Sequence, residues 1–368
     1  MVRADDRRNR MSRRIATFDD LRDVITAYRL PRVLIAALEL DLFTAVGTGV
    51  WTVPDLAREL KVSERGLAIL CRNLAMAGVL GKNGETYRNS QLGATALNAQ
   101  HPAYRGDYLR LTVSHWTDWG RLLESIKSGL PLDHNEPDEP DYRRRFTWAM
   151  HHRTLETAPK IAAQIDLRGA GTLLDLGGGP GTYAMAFLAK NPGLRATVCD
   201  RPAALDVAKE IAATHKAGAR LSYLPLDVMV EAIPCAYDVI WYSNVLHIYG
   251  KDDNQALFRR VLAALNPGGR FLIQDAFLHD REGLFPEEAS LFAVSMLLFT
   301  EQGNTYSAAE TKAWLRDAGF DRIKVLRMKK GTEDWEGGIL EAQPPGTTGK
   351  TRARPTGSAK SSRPRSSR

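Results

Sequence analysis

Cysteine is scarce in this chain of 368 residues, with only Cys71, Cys199 and Cys235, far apart and in no Cys-x-x-Cys pair. That spacing excludes a disulfide framework and a thiolate zinc site, and it fits a reducing compartment. Long apolar runs are missing too. No stretch approaches the roughly 18–20 apolar residues that a spanning helix needs, so no membrane partner is expected. The opening MVRADDRRNRMSRR has basic residues but no apolar core behind them, unlike a secretory leader, and the expected location is cytoplasmic. Acidic residues are absent from 345–368, where Lys350, Arg352, Arg354, Lys360, Arg363, Arg365 and Arg368 supply as much charge as the whole chain's net +7. The first fourteen residues add six arginines against Asp5 and Asp6, which leaves the body between the ends slightly acidic. A nucleic-acid enzyme more often carries its positive charge on the folded surface, so a nucleic-acid partner is not expected. Both basic ends lack the apolar residues to build a core and are predicted to be disordered.

The body has the composition of a globular protein, 44% hydrophobic and 25% charged, and enough length for two domains. From Phe18 to Gly47 apolar residues recur at helical spacing, with Pro31 predicted to divide them into two helices. Thr52 is a candidate N-cap ahead of Pro54 and Asp55, and Ser63 caps a second helix running from Glu64 to Ala77. A hairpin turning at Asn83-Gly84 follows, so the order is that of a winged helix. The second helix carries Arg65 and Arg72 but also Leu67, Ile69, Leu70, Leu74 and Met76, and reads as packed on both sides. A scaffold or dimerisation role fits it better than base reading, which needs polar side chains. Residues 104–129 and 142–165 read as helices rich in aromatics. Trp116, Trp119, Phe146 and Trp148 could wall a pocket for a flat ligand, although core packing explains any single one as well.

The most informative segment is GTLLDLGGGPG, residues 171–181: a buried strand, Asp175, then a dense glycine turn, with a helix from Thr182 to Lys190. Strand, glycine turn and helix bring backbone close to a nucleotide-like ligand. A dinucleotide fingerprint would need glycine at 182, where Thr182 stands. Strand and helix then alternate as in a doubly wound sheet. Expected strands are 194–199, 221–226, 237–243 and 271–274, with a helix from Asp252 to Leu265 stopped by Asn266-Pro267-Gly268-Gly269. Asp175, Asp200, Asp227, His247 and Asp275 all fall at or just past strand carboxyl ends, where such sheets bind ligands. Asp200 is placed to accept both ribose hydroxyls, and Asp227 to reach the adenine side. His247 follows the fourth strand as a candidate general base: a histidine, by its residue type, can take the proton of a phenol, whose own pKa is near ~10. Residues 286–300 offer a further pocket wall through Phe292, Met296 and Phe299, and core packing is an equal account of them.

Asp175-x-Gly177-x-Gly179-x-Gly181 resembles motif I of the class I S-adenosylmethionine-dependent methyltransferases. With NVLHIYGKDD, LNPGGRFLIQD and SAAETKAWLRDAGF, residues 15–343 resemble the plant caffeate-type O-methyltransferases and their bacterial relatives. The resemblance implies an α/β fold: a Rossmann-like class I methyltransferase domain behind a mostly helical winged-helix dimerisation domain. It implies S-adenosylmethionine as cofactor, a small aromatic acceptor and a homodimer of secondary metabolism. The segments it implies are a basic N-terminus (1–14), a dimerisation domain (15–105), a helical linker and substrate cap (106–165), a catalytic domain (166–343) and a basic tail (344–368). It makes His247 the base with Asp275 beside it, and Asp175, Gly177, Gly179, Gly181, Asp200 and Asp227 cofactor contacts. Phe146, Met150 and Thr154 are similar to the family's substrate-and-cofactor helix, Thr154 standing for a serine. Ser243 stands for a cofactor-contacting lysine, and Thr305 falls near the position of a second acid. Asp252-Asp253-Asn254 resembles a metal-dependent pattern but reads as a helix start, so no metal is expected. A DNA-binding regulator using the fold as a ligand sensor, or an enzyme of this fold with another reaction, are the competing readings.

Overall fold

The computed structural model describes residues 15–133, 140–280, 282–328 and 338–346. The basic ends expected to be disordered lie outside the described residues, except for 344–346. Thr17 opens α1 (Phe18–Thr26) with a capping box, its hydroxyl taking the Asp20 amide while the Asp20 carboxylate takes the Thr17 amide. The chain breaks at Ala27-Tyr28 and α2 (Arg29–Glu39) begins ahead of Pro31. Pro31 does not divide the helices as expected. It sits in the first turn of α2, where a missing amide has no intrahelical acceptor to disappoint. Next come α3 (Leu42–Val46) and β1 (Trp51–Thr52). Thr52 caps α4 (Val53–Leu60) through the Asp55 amide, and Ser63 caps α5 (Glu64–Met76) through the Gly66 amide.

The hairpin of β2 (Leu80–Asn83) and β3 (Thr86–Asn89) turns through Gly84, whose φ of +55° favours glycine. The strand order is β1-β3-β2, and Phe43, Leu56, Leu67, Leu74 and Tyr87 pack its core. Here α5 departs from expectation. It buries Leu67, Cys71 and Leu74 on one face, while Ile69 is 42% and Met76 75% exposed. No residue of α1 is buried, and Phe18, Val24 and Ile25 stand open.

The aromatic stretch expected as two helices is cut finer. After α6 (Gln91–Thr95) come α7 (Gly106–Ser114), α8 (Trp116–Gly120) and α9 (Leu122–Ser128), with His115 and Arg121 as the joints. Then α10 (Pro140–Thr154) gives way to α11 (Thr157–Gln164).

The second sheet begins with β4 (Thr172–Leu176), α12 (Thr182–Lys190), β5 (Arg195–Asp200), α13 (Pro202–Thr214) and β6 (Leu221–Pro225). It continues through β7 (Tyr237–Ser243), α14 (Lys251–Ala263), β8 (Leu265–Gln274), α15 (Glu287–Phe299), α16 (Ala308–Asp317), β9 (Asp321–Leu326) and β10 (Ile339–Gln343). The order is β6-β5-β4-β7-β8-β10-β9, parallel from β6 to β8, with β10 antiparallel to both of its neighbours. Asn266-Pro267-Gly268-Gly269 are not the stop of α14, which ends at Ala263; they form the first part of β8, whose register against β7 slips between Tyr237 and Val239.

Helices cover both faces, so the central strands are apolar on both sides. Consecutive Trp241 and Tyr242 of β7 show it: each is fully buried, one among Ile161, Phe187 and Leu272, the other among Leu174, Phe258 and Phe271. No helix among the described residues is long and apolar enough to cross a membrane.

Arg220 closes the far end of this layer. Its guanidinium donates to the carbonyls of Leu188, Asn191, Pro192 and Leu194, gathering the end of α12 and the approach to β5. Arg220→Met keeps the stem and strands those carbonyls. Charge-assisted hydrogen bonds contribute about 1.5–3 kcal/mol, and we expect a loss in that range by urea unfolding; an unchanged midpoint would show the carbonyls to be satisfied by water.

Candidate active site

The turn after β4 is built from three glycines in left-handed conformation, Gly177 (φ +67°), Gly179 (φ +50°) and Gly181 (φ +69°). Two physical reasons demand glycine here. At Gly177 a Cβ would also meet Val245 Cγ2 at 2.9 Å, so the segment that follows β7 closes on the backbone. At Gly179 the conformation alone forbids a side chain, because the nearest atom to a Cβ would be Asp200 Oδ2 at 4.0 Å. The amides of Gly177 and Gly178 donate to the Cys199 carbonyl, which pins the turn to β5.

Asp200 ends β5 beside this turn. Its carboxylate accepts from Gly179 N–H at 2.8 Å and from Arg201 N–H at 2.7 Å. Burial pushes its pKa up, against the pull of those two amides. Asp175 stands differently. It is 2% exposed and turned to the Ala184 amide at 3.2 Å, so it braces the first turn of α12 from beneath. Asp227 is exposed, and its carboxylate accepts from Met229 N–H in its own turn. A glycine cradle rimmed by one carboxylate, at the carboxyl ends of parallel strands, fits a nucleoside with a free ribose diol.

One strand over, Ser243 ends β7 and donates to Gln274 Oε1 at 3.0 Å. Asn244 follows at φ +56°, and a short 3₁₀ turn, Leu246–Ile248, carries His247. Asn254, fully buried on α14, donates to the carbonyls of Leu246, Tyr249 and Gly250 and so fixes that turn. Asp275, just past β8, accepts from its neighbour Ala276 N–H and lies 2.7 Å from His247 Nδ1. A carboxylate only accepts, so Nδ1 carries the proton and Nε2 is left as the ring's acceptor. Phe292 of α15 packs edge-on against the imidazole at 4.7 Å.

Phe292, Met296 and Phe299 share one face of α15. Phe299 meets the ring of His115 at 4.5 Å. Trp116 is 41% exposed, with the guanidinium of Arg32 over its ring. On α10, Phe146 and Met150 are half-buried, and the buried Thr154 hydroxyl donates back to the Met150 carbonyl at 2.8 Å. Thr305 is buried, with no partner for its hydroxyl among the described residues.

Two contributors were missed in the sequence. Asn254 was taken as part of an acidic helix start, while Asp252 and Asp253 beside it are exposed in the first turn of α14. His151, passed over between Met150 and Thr154, bonds Thr182 Oγ1 at 2.8 Å. The signal was a pair of adjacent histidines directly after Met150, inside the segment similar to the substrate-and-cofactor helix. Among the described residues no group of three His, Cys, Asp or Glu side chains is placed to hold a metal.

The O-methyltransferase domain family matches residues 127–321, and the O-methyltransferase dimerisation domain family matches 23–99. The chain is 29% identical to 3-hydroxy-5-methyl-1-naphthoate 3-O-methyltransferase of Streptomyces sahachiroi, over 84% of this chain and 91% of that one. It is also 29% identical to the tetracenomycin polyketide synthesis 8-O-methyl transferase TcmO of Streptomyces glaucescens, over 84% and 93%. Human N-acetylserotonin methyltransferase, solved in complex with SAM, shares the fold at a TM-score of 0.79 and 22% identity, over 92% of this chain and 99% of that one. The dimerisation match spans the winged helix and supports a homodimer.

Asp175 generates a pH prediction. Burial raises its pKa from an ordinary 3.8 to about 7, with Asp200 adding to the rise. The folded state therefore holds a proton that the unfolded state releases near pH 4, so stability falls as pH climbs from about 4 to about 7. Asp175→Asn keeps an acceptor for Ala184 N–H and removes the titration. Its urea stability should be flatter across that window and at least equal to wild type at pH 8; a steeper decline would refute the assignment.

Proposed function

The chain belongs to the O-methyltransferase family and uses S-adenosylmethionine; from that premise we propose that it methylates a hydroxyl on a small aromatic acceptor with His247 as general base. The observation that carries this is the Asp275–His247 pair. A buried carboxylate at the end of one strand holds an imidazole after the next, one strand across from the glycine turn.

S-Adenosylmethionine, when bound, supplies a methyl group activated by its sulfonium. Gly177 and Gly179 would let backbone approach the nucleoside, and the Asp200 carboxylate at the rim of the turn would accept from the ribose hydroxyls. His247 Nε2 takes the proton from the acceptor hydroxyl. Asp275 holds the ring and stabilises the imidazolium that forms, since its bond to Nδ1–H strengthens as the ring gains charge. Phe292 fixes the ring from the side and, with Met296 and Phe299, offers an apolar wall to a flat acceptor. Phe146 and Met150 on α10 offer a second wall. Aligning the two reactants contributes the remainder of the acceleration.

The acceptors named for the two Streptomyces relatives, a hydroxynaphthoate and a tetracenomycin polyketide, support a fused aromatic phenol here as well. Turnover on a panel of phenols and hydroxynaphthoates, with calorimetry using S-adenosylhomocysteine, tests the proposal. We expect His247→Ala and His247→Gln to lose about a hundredfold or more in turnover, as loss of a general base does, while cofactor-product affinity stays within about threefold. Asp200→Ala should weaken that affinity by about tenfold or more, as loss of charged hydrogen bonds does. Wild-type turnover in His247→Ala would remove the base from the scheme.

A further inference from the structure

His151 lies on α10, one residue beyond Met150, and its Nδ1 is 2.8 Å from the hydroxyl of Thr182. Thr182 is the first residue of α12 and directly follows Gly181, the last glycine of the turn, so this bond joins the cap helix to the cradle itself. The contact is shielded, because Thr182 is only 7% exposed. Trp148 lies edge-on to the imidazole at 5.9 Å, and His152 lies 5.7 Å from it and 5.8 Å from Trp148, so the three rings form one cluster. His152 in turn sits 3.3 Å from Asp107 of α7, which also accepts from the Tyr104 hydroxyl. Neighbouring histidines of α10 thus face α7 on one side, through Asp107, and the turn 177–182 on the other, through Thr182. Another tie of α10 to this layer, the paired bonds of Arg144 to Glu210 of α13, is about half exposed and contributes little.

We propose that His151 is a positioning residue for cofactor binding: its bond to Thr182 seats α10 on the turn 177–182 and so sets where Met150 and Thr154 stand relative to the nucleoside. This rests on the reading of that turn as the cofactor cradle. Nothing else in the scheme above uses the histidine. Burial, with His152 adding to it, lowers its pKa to about 4, so the ring is neutral at physiological pH. A neutral imidazole can meet a hydroxyl as donor or acceptor, whereas a charged ring could only donate. A cation placed here would also stand near a sulfonium, and the buried neutral ring avoids that repulsion.

The test is a double-mutant cycle on the full chain, read by calorimetry with S-adenosylhomocysteine and by circular dichroism. His151→Phe keeps a ring against Trp148 and removes the hydrogen bond. Thr182→Val removes the hydroxyl at constant shape, and His151→Asn replaces the imidazole by an amide with a polar atom near Nδ1. Loss of one shielded hydrogen bond predicts about a tenfold weaker dissociation constant for His151→Phe and a similar one for Thr182→Val. The double variant should be no worse than about twofold beyond the weaker single, because both remove the same interaction. His151→Asn should return affinity to within about threefold of wild type. Wild-type affinity in folded His151→Phe, multiplying losses in the double variant, or an Asn variant as weak as the Phe variant would each overturn the proposal. If the wild type takes up no S-adenosylhomocysteine, the cradle reading falls and this inference falls with it. Wild-type uptake with independent variants would sink the inference alone.

Discussion

The parallel register of β4 against β5 and β7 is the constraint from which the site follows. Leu176 lies level with Cys199 on one side and Tyr242 on the other, so Gly177, Asp200 and Ser243 emerge together at one edge. From that edge the glycine turn bends over β5, where the Cys199 carbonyl receives two of its amides. The same register puts Val245 against Gly177. The histidine turn and the cofactor turn are thus packed on each other. A slip of one residue would exchange the faces of Asp200 and Cys199 and carry the carboxylate away from the glycine turn.

Each acid at this edge is kept in its place by a different local bond. Asp200 faces the turn because two amides hold it there, and Asp175 lies beneath because the start of α12 presents an amide that a buried carboxyl can cap. The arrangement puts one carboxylate at the rim of the turn and a second, bracing one behind it. The histidine side follows the same logic. Asn254 spends both its amide hydrogens on the loop carbonyls, and that satisfied polar group in an apolar layer gives the His247 turn one geometry. The proposed base is then oriented by Asp275 and Phe292, which come from separate parts of the chain.

The N-terminal half contributes otherwise. Its small core closes around Phe43, Leu56 and Leu74, yet α1 and one side of α5 remain uncovered. Apolar side chains in such numbers call for a partner surface, in agreement with the dimerisation match over 23–99. The aromatic helices between the halves are shorter than their composition suggested. Their joints at His115 and Arg121 let α8 swing Trp116 outward under Arg32, while His115 turns toward Phe299.

Much of this was legible in the residues. Helix starts at Thr52 and Ser63, the turn at Gly84 and the cradle at 177–181 are written in single side chains whose local chemistry allows few alternatives. Period and apolar runs marked the parallel strands, because strands covered on both faces must be apolar throughout. Boundaries that depend on distant pairing were not legible: Asn266-Pro267-Gly268-Gly269 read as a helix stop, but Leu265 and Arg270 on either side of them pair with β7 and make the stretch part of a strand. Pro31 could not reveal whether it ended a helix or began one, since both places suit its missing amide. Sequence alone determined the kind of ligand the chain holds and the acids and histidine gathered at the strand ends. Tertiary structure decided which acid braces and which faces the rim, and brought His151 to Thr182 and Asp275 to His247 across 31 and 28 residues. Contacts at such separations depend on how helices and strands pack, which no local pattern records.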